Sequence, residues 1–89
     1  MKLQNFSVCM SVYKNDNPIH FKEAIESVIH QTVTPNEIVL VIDGPVLFEL
    51  KEIILELIDK YSFITPIWIK ENVGLGKALA IGVKNSEFD

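Results

Sequence analysis

Cysteine is nearly missing from this chain of 89 residues. The single thiol, Cys9, excludes a disulfide framework and fits a reducing compartment. Histidine is scarce as well. His20 and His30 stand at no ligand spacing from the cysteine or from a carboxylate, so they read as surface residues of helices and no zinc-type cluster is legible. Basic charge is in deficit, with 8 Lys and Arg against 12 Asp and Glu and a net charge of −4, which leaves no electrostatic footprint for nucleic acid. No basic run or polybasic helix points to an anionic membrane surface. The apolar run near the N-terminus is broken by Ser7 and Ser11, which makes it neither a signal peptide nor a membrane span. No Ser-His-Asp arrangement and no Asp-x-Asp pair is present. These absences predict a cytoplasmic protein without a disulfide, zinc or nucleic-acid role.

What is present is a core. Hydrophobic residues make up 48% of the chain, rich for a soluble protein and incompatible with disorder. The length allows one small domain, which buries roughly 60–70% of its unfolded surface. Phe6 to Val12 is an apolar run without helical period, the pattern of a strand buried on both faces. Asn17 suits a helix N-cap and Pro18 the first helical position. Phe21, Ala24, Ile25, Val28 and Ile29 then repeat at helical spacing. The stretch Thr32 to Asn36, with Pro35 inside, ends that helix. Glu37 to Ile42 is a second buried strand, broken by Asp43-Gly44-Pro45. Leu47, Leu50, Ile54, Leu57, Ile58 and Tyr61 mark a second amphipathic helix. Ile64 to Lys70 is a third strand, and Pro66 assigns it to a sheet edge because proline donates nothing to the ladder. Asn72 to Gly76 turns the chain into a third helix with Leu75, Ala78, Leu79, Gly82 and Val83 on its apolar face.

Strands alternating with helices predict an α/β fold: right-handed crossovers building a parallel sheet covered on both faces, a three-layer αβα arrangement of Rossmann-like type. Ligands bind such sheets at the carboxyl ends of the strands. Here those ends are Ser11-Val12-Tyr13, Asp43-Gly44 and Glu71-Asn72. Tyr13 can stack on a base, with the Ser11 hydroxyl reaching a ribose or base edge, or it can simply cover the end of the sheet. Asp43, an acid straight after an apolar run, can accept from a ring N–H such as uracil N3–H, with Gly44 allowing close backbone approach, or it can cap the next helix. Gly74-Leu75-Gly76-Lys77 is no phosphate loop, since the spacing between glycines is too short and Ala78 replaces the required Ser or Thr. Lys77, placed against the helix dipole, either faces something anionic or is solvated. Cys9 and Trp68 read as packing residues.

In order and spacing these segments resemble the start of the family 2 glycosyltransferases, which have the GT-A fold. FSVCMSVYKND is similar to that family's first strand and turn, and FKEAIESVIHQTVTPNEIVLVIDGP to its first helix, S-x-x-x-Q-T ending and second strand. ENVGLGKALAIGVKNSEFD is similar to its N-x-G-x-x-x-A-x-N-x-G helix. The resemblance implies that Ser11, Tyr13 and Asp43 hold the base and ribose of a nucleotide-sugar, usually a UDP-sugar, with the segment from Gly74 to Lys77 closing over the base. Two positions depart from the pattern: Ile42 stands where many members carry the first of two acids, and Ala80 replaces an asparagine.

The resemblance also implies what should lie further along. The family's Asp-x-Asp, which holds Mg²⁺ or Mn²⁺ and the diphosphate, follows the segment matching Glu87-Phe88-Asp89, and its catalytic base comes later still. Residues 1–89 are therefore expected to be the incomplete nucleotide-binding front part of an inverting transferase of polysaccharide or glycoconjugate synthesis. On this expectation the 89-residue chain holds no metal and is inactive by itself, while the longer protein is peripheral at the inner face of the membrane. Self-association is expected through an exposed sheet edge. Two rivals stand beside it. A flavodoxin-like or receiver-type signalling domain would need a phosphoacceptor acid after the third strand, where Lys70-Glu71-Asn72 stands, while the strand-end aspartate, Asp43, follows the second. A ligand-free structural module needs only the core pattern.

Overall fold

The computed structural model describes residues 5–87, so the N-terminal reading at residues 1–4 and the Phe88-Asp89 pair used in the resemblance lie outside it. Six elements alternate: β1 (Ser7–Val12), α1 (Pro18–Ile29), β2 (Glu37–Asp43), α2 (Phe48–Lys60), β3 (Ile64–Ile69) and α3 (Leu75–Asn85). The strands form one parallel sheet in the order β1-β2-β3. Register pairs Ser7 with Glu37 and Val12 with Ile42 on one side of β2, and Ile38 with Ile64 and Asp43 with Ile69 on the other.

The period-2 alternation of strands sorts the side chains into two layers. Val12, Ile38, Leu40, Ile42 and Ile64 face α1 and α2, where they meet Phe21, Ile25, Ile29, Leu50, Ile54 and Leu57. Val39 and Val41 face α3 and pack on Ala78, with Cys9, Ile67 and Ile69 around them. The three-layer αβα arrangement is the one the sequence predicts. Pro66 lies on the edge strand, as expected of a residue that cannot donate to a ladder. Asn17 caps α1, its side chain accepting from the N–H groups of Ile19 (2.9 Å) and His20 (3.1 Å), with Pro18 at the first position. Gly82 lets α3 sit close on the sheet, because a Cβ there would lie 3.2 Å from Val41 Cγ2 and 3.3 Å from Cys9 Cβ.

Several expectations need correction. β1 is not buried on both faces: only Val12 is fully buried, and Ser7 to Ser11 are half-buried. Among the described residues β1 has a neighbour on one side alone, so its outer flank stays open. Ala24, on the α1 turn above that flank, is exposed for the same reason. Val83 is 64% exposed, because it lies about 100° around the helix from the contact residue Gly82. Leu75 is 65% exposed because it occupies the first turn of α3, where that helix overhangs the carboxyl edge of the sheet. Trp68 is half-exposed on β3 rather than packed, and Cys9 is only partly buried.

Among the described residues two polar side chains are buried in this apolar frame, Glu37 and Asp43, one at each end of β2. At the amino end the Glu37 carboxylate accepts from Ser7 Oγ of β1 (2.9 Å), Thr65 Oγ1 of β3 (3.0 Å) and the backbone N–H of Glu87 after α3 (2.8 Å). Burial by itself raises the Glu37 carboxyl, but the Glu87 N–H and the Ser7 and Thr65 hydroxyls outweigh it and hold it below its ordinary value. Burial first, and then the charge of Glu37, push the Cys9 thiol up. Asp43, at the carboxyl end, belongs to the site.

Candidate functional site

Asp43 ends β2 with the same parity as Val39 and Val41, so its side chain emerges on the α3 face of the sheet. There it meets the connection from β3 to α3. The carboxylate is 3% exposed and accepts from the backbone N–H of Val73 (2.7 Å, to Oδ1), the backbone N–H of Gly74 (3.1 Å, to Oδ2) and Asn72 Nδ2 (3.2 Å, to Oδ2). Asn72 Nδ2 also donates to the Asp43 carbonyl at 3.2 Å. Helix α3 has Gly74 as its N-cap and no side-chain cap of its own, so Asp43 supplies from another element the anion that a helix start favours. The amides a phosphate loop would offer to its ligand are thereby given to a protein carboxylate, in line with rejecting that reading of Gly74 to Lys77.

Two glycines make this approach feasible. Gly44 has φ of +88°, and a Cβ there would lie 2.8 Å from the Asn72 backbone nitrogen. Gly74 has φ of +91° and ψ of 157°, a region left almost entirely to glycine.

The carboxylate forms part of the wall of a cavity at the carboxyl edge of the sheet, lined by Ser11, Tyr13, Asp16, Asp43, Asn72, Gly74 and Leu75 and enclosing about 410 Å³. That volume falls within the range of small-molecule sites, roughly 300–1,000 Å³. Tyr13 (40% exposed) and Leu75 (65% exposed) supply its apolar surface. The turn carrying Tyr13 is fixed by Asp16, whose Oδ2 accepts from Tyr13 N–H (3.0 Å) while its own N–H donates to the Tyr13 carbonyl (3.0 Å).

Of the residues singled out in the sequence, Ser11, Tyr13, Asp43 and Gly74 come together around this cavity. Gly44 lies behind Asp43, making room for Asn72 rather than lining the cavity. Lys77 is exposed on the first turn of α3, outside the lining. Asn72, a strand end in the sequence, and Asp16, an acid near the site edge, were not assigned to the nucleotide site but line it. Asn72 acts through a hydrogen bond between residues 29 positions apart, which no local pattern reveals. Asp16 could have been found, since an aspartate three residues after a strand end readily closes a turn.

Among the described residues no group of three or more His, Cys, Asp or Glu could hold a metal ion. No helix among the described residues is long and apolar enough to cross a membrane.

A parallel sheet covered on both faces, with a cavity where its strands end walled by a buried carboxylate and a tyrosine, makes this an α/β domain of Rossmann-like type. The chain belongs to glycosyl transferase family 2, whose model matches residues 7–89. It is 36% identical over 84 residues to the UDP-Gal:alpha-D-GlcNAc-diphosphoundecaprenol beta-1,3-galactosyltransferase of Escherichia coli, a match covering 94% of this chain and 30% of that protein. An uncharacterized glycosyltransferase of Haemophilus influenzae is 39% identical over 84 residues, with 94% and 31% covered. The amylovoran biosynthesis glycosyltransferase AmsE of Erwinia amylovora is 38% identical over 82 residues, with 89% and 29% covered. The chain thus spans about 30% of the length of these curated relatives. No solved structure gives a significant match. Family membership sets aside the receiver-type reading.

Proposed function

We propose that the cavity binds the base and ribose of a nucleotide-sugar of the uridine type, and that residues 1–89 are the front part of a transferase passing that sugar to an acceptor hydroxyl with inversion. The observation that carries this reading is the acceptor count at Asp43. A carboxylate offers about four lone-pair positions, and the three hydrogen bonds from Asn72, Val73 and Gly74 leave one, on Oδ1. A buried acceptor with a single open position suits a base presenting one ring N–H, as uracil does at N3. The Tyr13 ring supplies a stacking surface beside it, and the Ser11 hydroxyl a partner for ribose. Gly74 and Leu75 bound the same space, and Lys77, exposed in the same first turn of α3, would offer its charge to an anionic group beyond the base.

The name of the Escherichia coli relative includes a UDP-sugar donor, and that of the Erwinia relative a role in amylovoran biosynthesis. These support a UDP-sugar and cell-envelope polysaccharide synthesis for the longer protein. A cytoplasmic setting, peripheral at the inner membrane face, belongs to the same proposal, in keeping with a sequence whose single cysteine offers no disulfide framework. In the longer protein a carboxylate would deprotonate the acceptor, and Mg²⁺ or Mn²⁺ held by residues outside this chain would stabilise the leaving diphosphate.

The test is UDP release from a panel of UDP-sugars with Mn²⁺, comparing residues 1–89 with the product of the full gene. The full product is expected to turn over in a metal-dependent manner and the 89-residue chain to be inactive. Turnover by the short chain would overturn the claim of incompleteness, and a full product that binds no nucleotide-sugar would overturn the function.

A further inference from the structure

We propose that Asn72 sets the base selectivity of this cavity: its side-chain amide fills the second oxygen of the Asp43 carboxylate, which can then take one ring N–H but not two side by side. This rests on the nucleotide reading above and gives Asn72, read in the sequence only as a strand end and as the first residue of the N-x-G pattern, a part in choosing the base. Asn72 Nδ2 lies 3.2 Å from both Asp43 Oδ2 and the Asp43 carbonyl oxygen. Both neighbours are acceptors, so the side-chain atom facing them has to be the amide nitrogen, and the Asn72 oxygen points elsewhere. Oδ2 also accepts from Gly74 N–H and is thereby full, while Oδ1 accepts only from Val73 N–H.

The consequence follows from the edges of the bases. Uracil presents one N–H between two carbonyls and needs a single acceptor. Guanine presents a ring N–H next to an exocyclic amine, and it satisfies both only on a carboxylate with both oxygens free. Cytosine turns a ring lone pair toward the carboxylate and is repelled whether or not Oδ2 is free. Asn72 is thus a positioning residue acting through Asp43, and it discriminates against a two-donor edge.

The packing shows that the approach of Asn72 is built in. Gly44 has to lack a side chain, because a Cβ there would lie 2.8 Å from the Asn72 nitrogen and 3.1 Å from its Cα. What Gly44 accommodates is chiefly the Asn72 backbone. The Asn72 residue is itself exposed, so truncating its side chain leaves no buried cavity and the fold is retained.

The experiment titrates the ¹⁵N-labelled 89-residue chain and its Asn72→Ala variant with UMP, GMP and CMP, which share one phosphate and differ in the base. The native chain is expected to prefer UMP to GMP by about tenfold, and the variant to narrow that ratio about three- to tenfold, the scale of one hydrogen bond. CMP stays weak with both. Independently of any nucleotide, the Val73 and Gly74 amides should exchange with solvent faster in the variant, because their acceptor is no longer held. A UMP-to-GMP ratio unchanged by the substitution overturns the role of Asn72 even if both affinities fall, and so does unchanged exchange at Val73 and Gly74. A native chain in which no nucleotide shifts any amide around the cavity overturns the nucleotide reading itself, and this proposal with it.

Discussion

Glu37 and Glu87 are joined by a 2.8 Å hydrogen bond from the backbone N–H of Glu87 to the buried Glu37 carboxylate, across a separation of 50 residues. The same carboxylate holds hydroxyls from β1 and β3, so one side chain ties all three strands to the segment that follows α3. It stands at the opposite end of β2 from Asp43, which ties the β3–α3 connection in the same manner. The sheet is thus fastened at one end for stability and at the other around its cavity.

The Glu37 fastening makes stability depend on pH. Its folded carboxyl value is lowered from the ordinary 4.5, so its contribution is complete above about pH 4.5 and is lost as pH falls through the lower folded value. Glu37→Gln keeps one oxygen but gives up the charged acceptor, and should destabilise the domain by about 1–3 kcal/mol at pH 7. Urea unfolding between pH 7 and 3 should show a constant gap between native and variant chains down to about pH 4.5, closing below it. A gap that does not change with pH would contradict this role.

Glycine substitutions should separate into opposite signs. Gly44→Ala combines a φ of +88° with a Cβ 2.8 Å from the Asn72 nitrogen, and should cost about 3 kcal/mol or more from the added backbone strain and overpacking. Gly76→Ala lies in the first turn of α3 with nothing within 4 Å, and should stabilise by up to about 1 kcal/mol through helix propensity. Thermal melts of the two variants measure both; equal shifts would mean that the Gly44 contact yields freely.

What could be read from the sequence was what repeats locally. The continuous apolar run of β2, the Asn17–Pro18 start of α1 and the edge position marked by Pro66 all follow from rules spanning a few residues. Exposure on β1 did not, because an apolar run shows that a strand can be buried, while the number of its neighbours is a property of the sheet. Leu75 was misread for a related reason. Helical period places it on the apolar face, but the sheet ends beneath it, and it becomes the rim of a cavity. Ser11, Tyr13 and Asp43 were recognisable as strand ends. That the Asp43 carboxylate is largely occupied by Asn72, Val73 and Gly74 was not, since those partners lie 29 to 31 positions away. Glu37 was hidden likewise, appearing only as the first residue of a buried strand.

The open flank of β1 should make the 89-residue chain associate with itself. Among the described residues no strand pairs with that side, and α1 and α3 leave Ala24 and Val83 exposed above and below the sheet. Unpaired edges of this kind template pairing with another chain. Sedimentation velocity at rising concentration should show a shift toward dimers or larger species; a clean monomer throughout would count against it.

A uridine-type base site between Tyr13 and Asp43 is checked by titrating the labelled chain with UDP and following its amides. With only base and ribose contacts available, binding should be weak, near 1 mM or about −4 kcal/mol. Shifts are expected to concentrate at residues 11–13, 43–44 and 72–75, with the preference for UDP over ADP lost in Asp43→Asn. Shifts absent from these segments, or spread without focus over the surface, would contradict it.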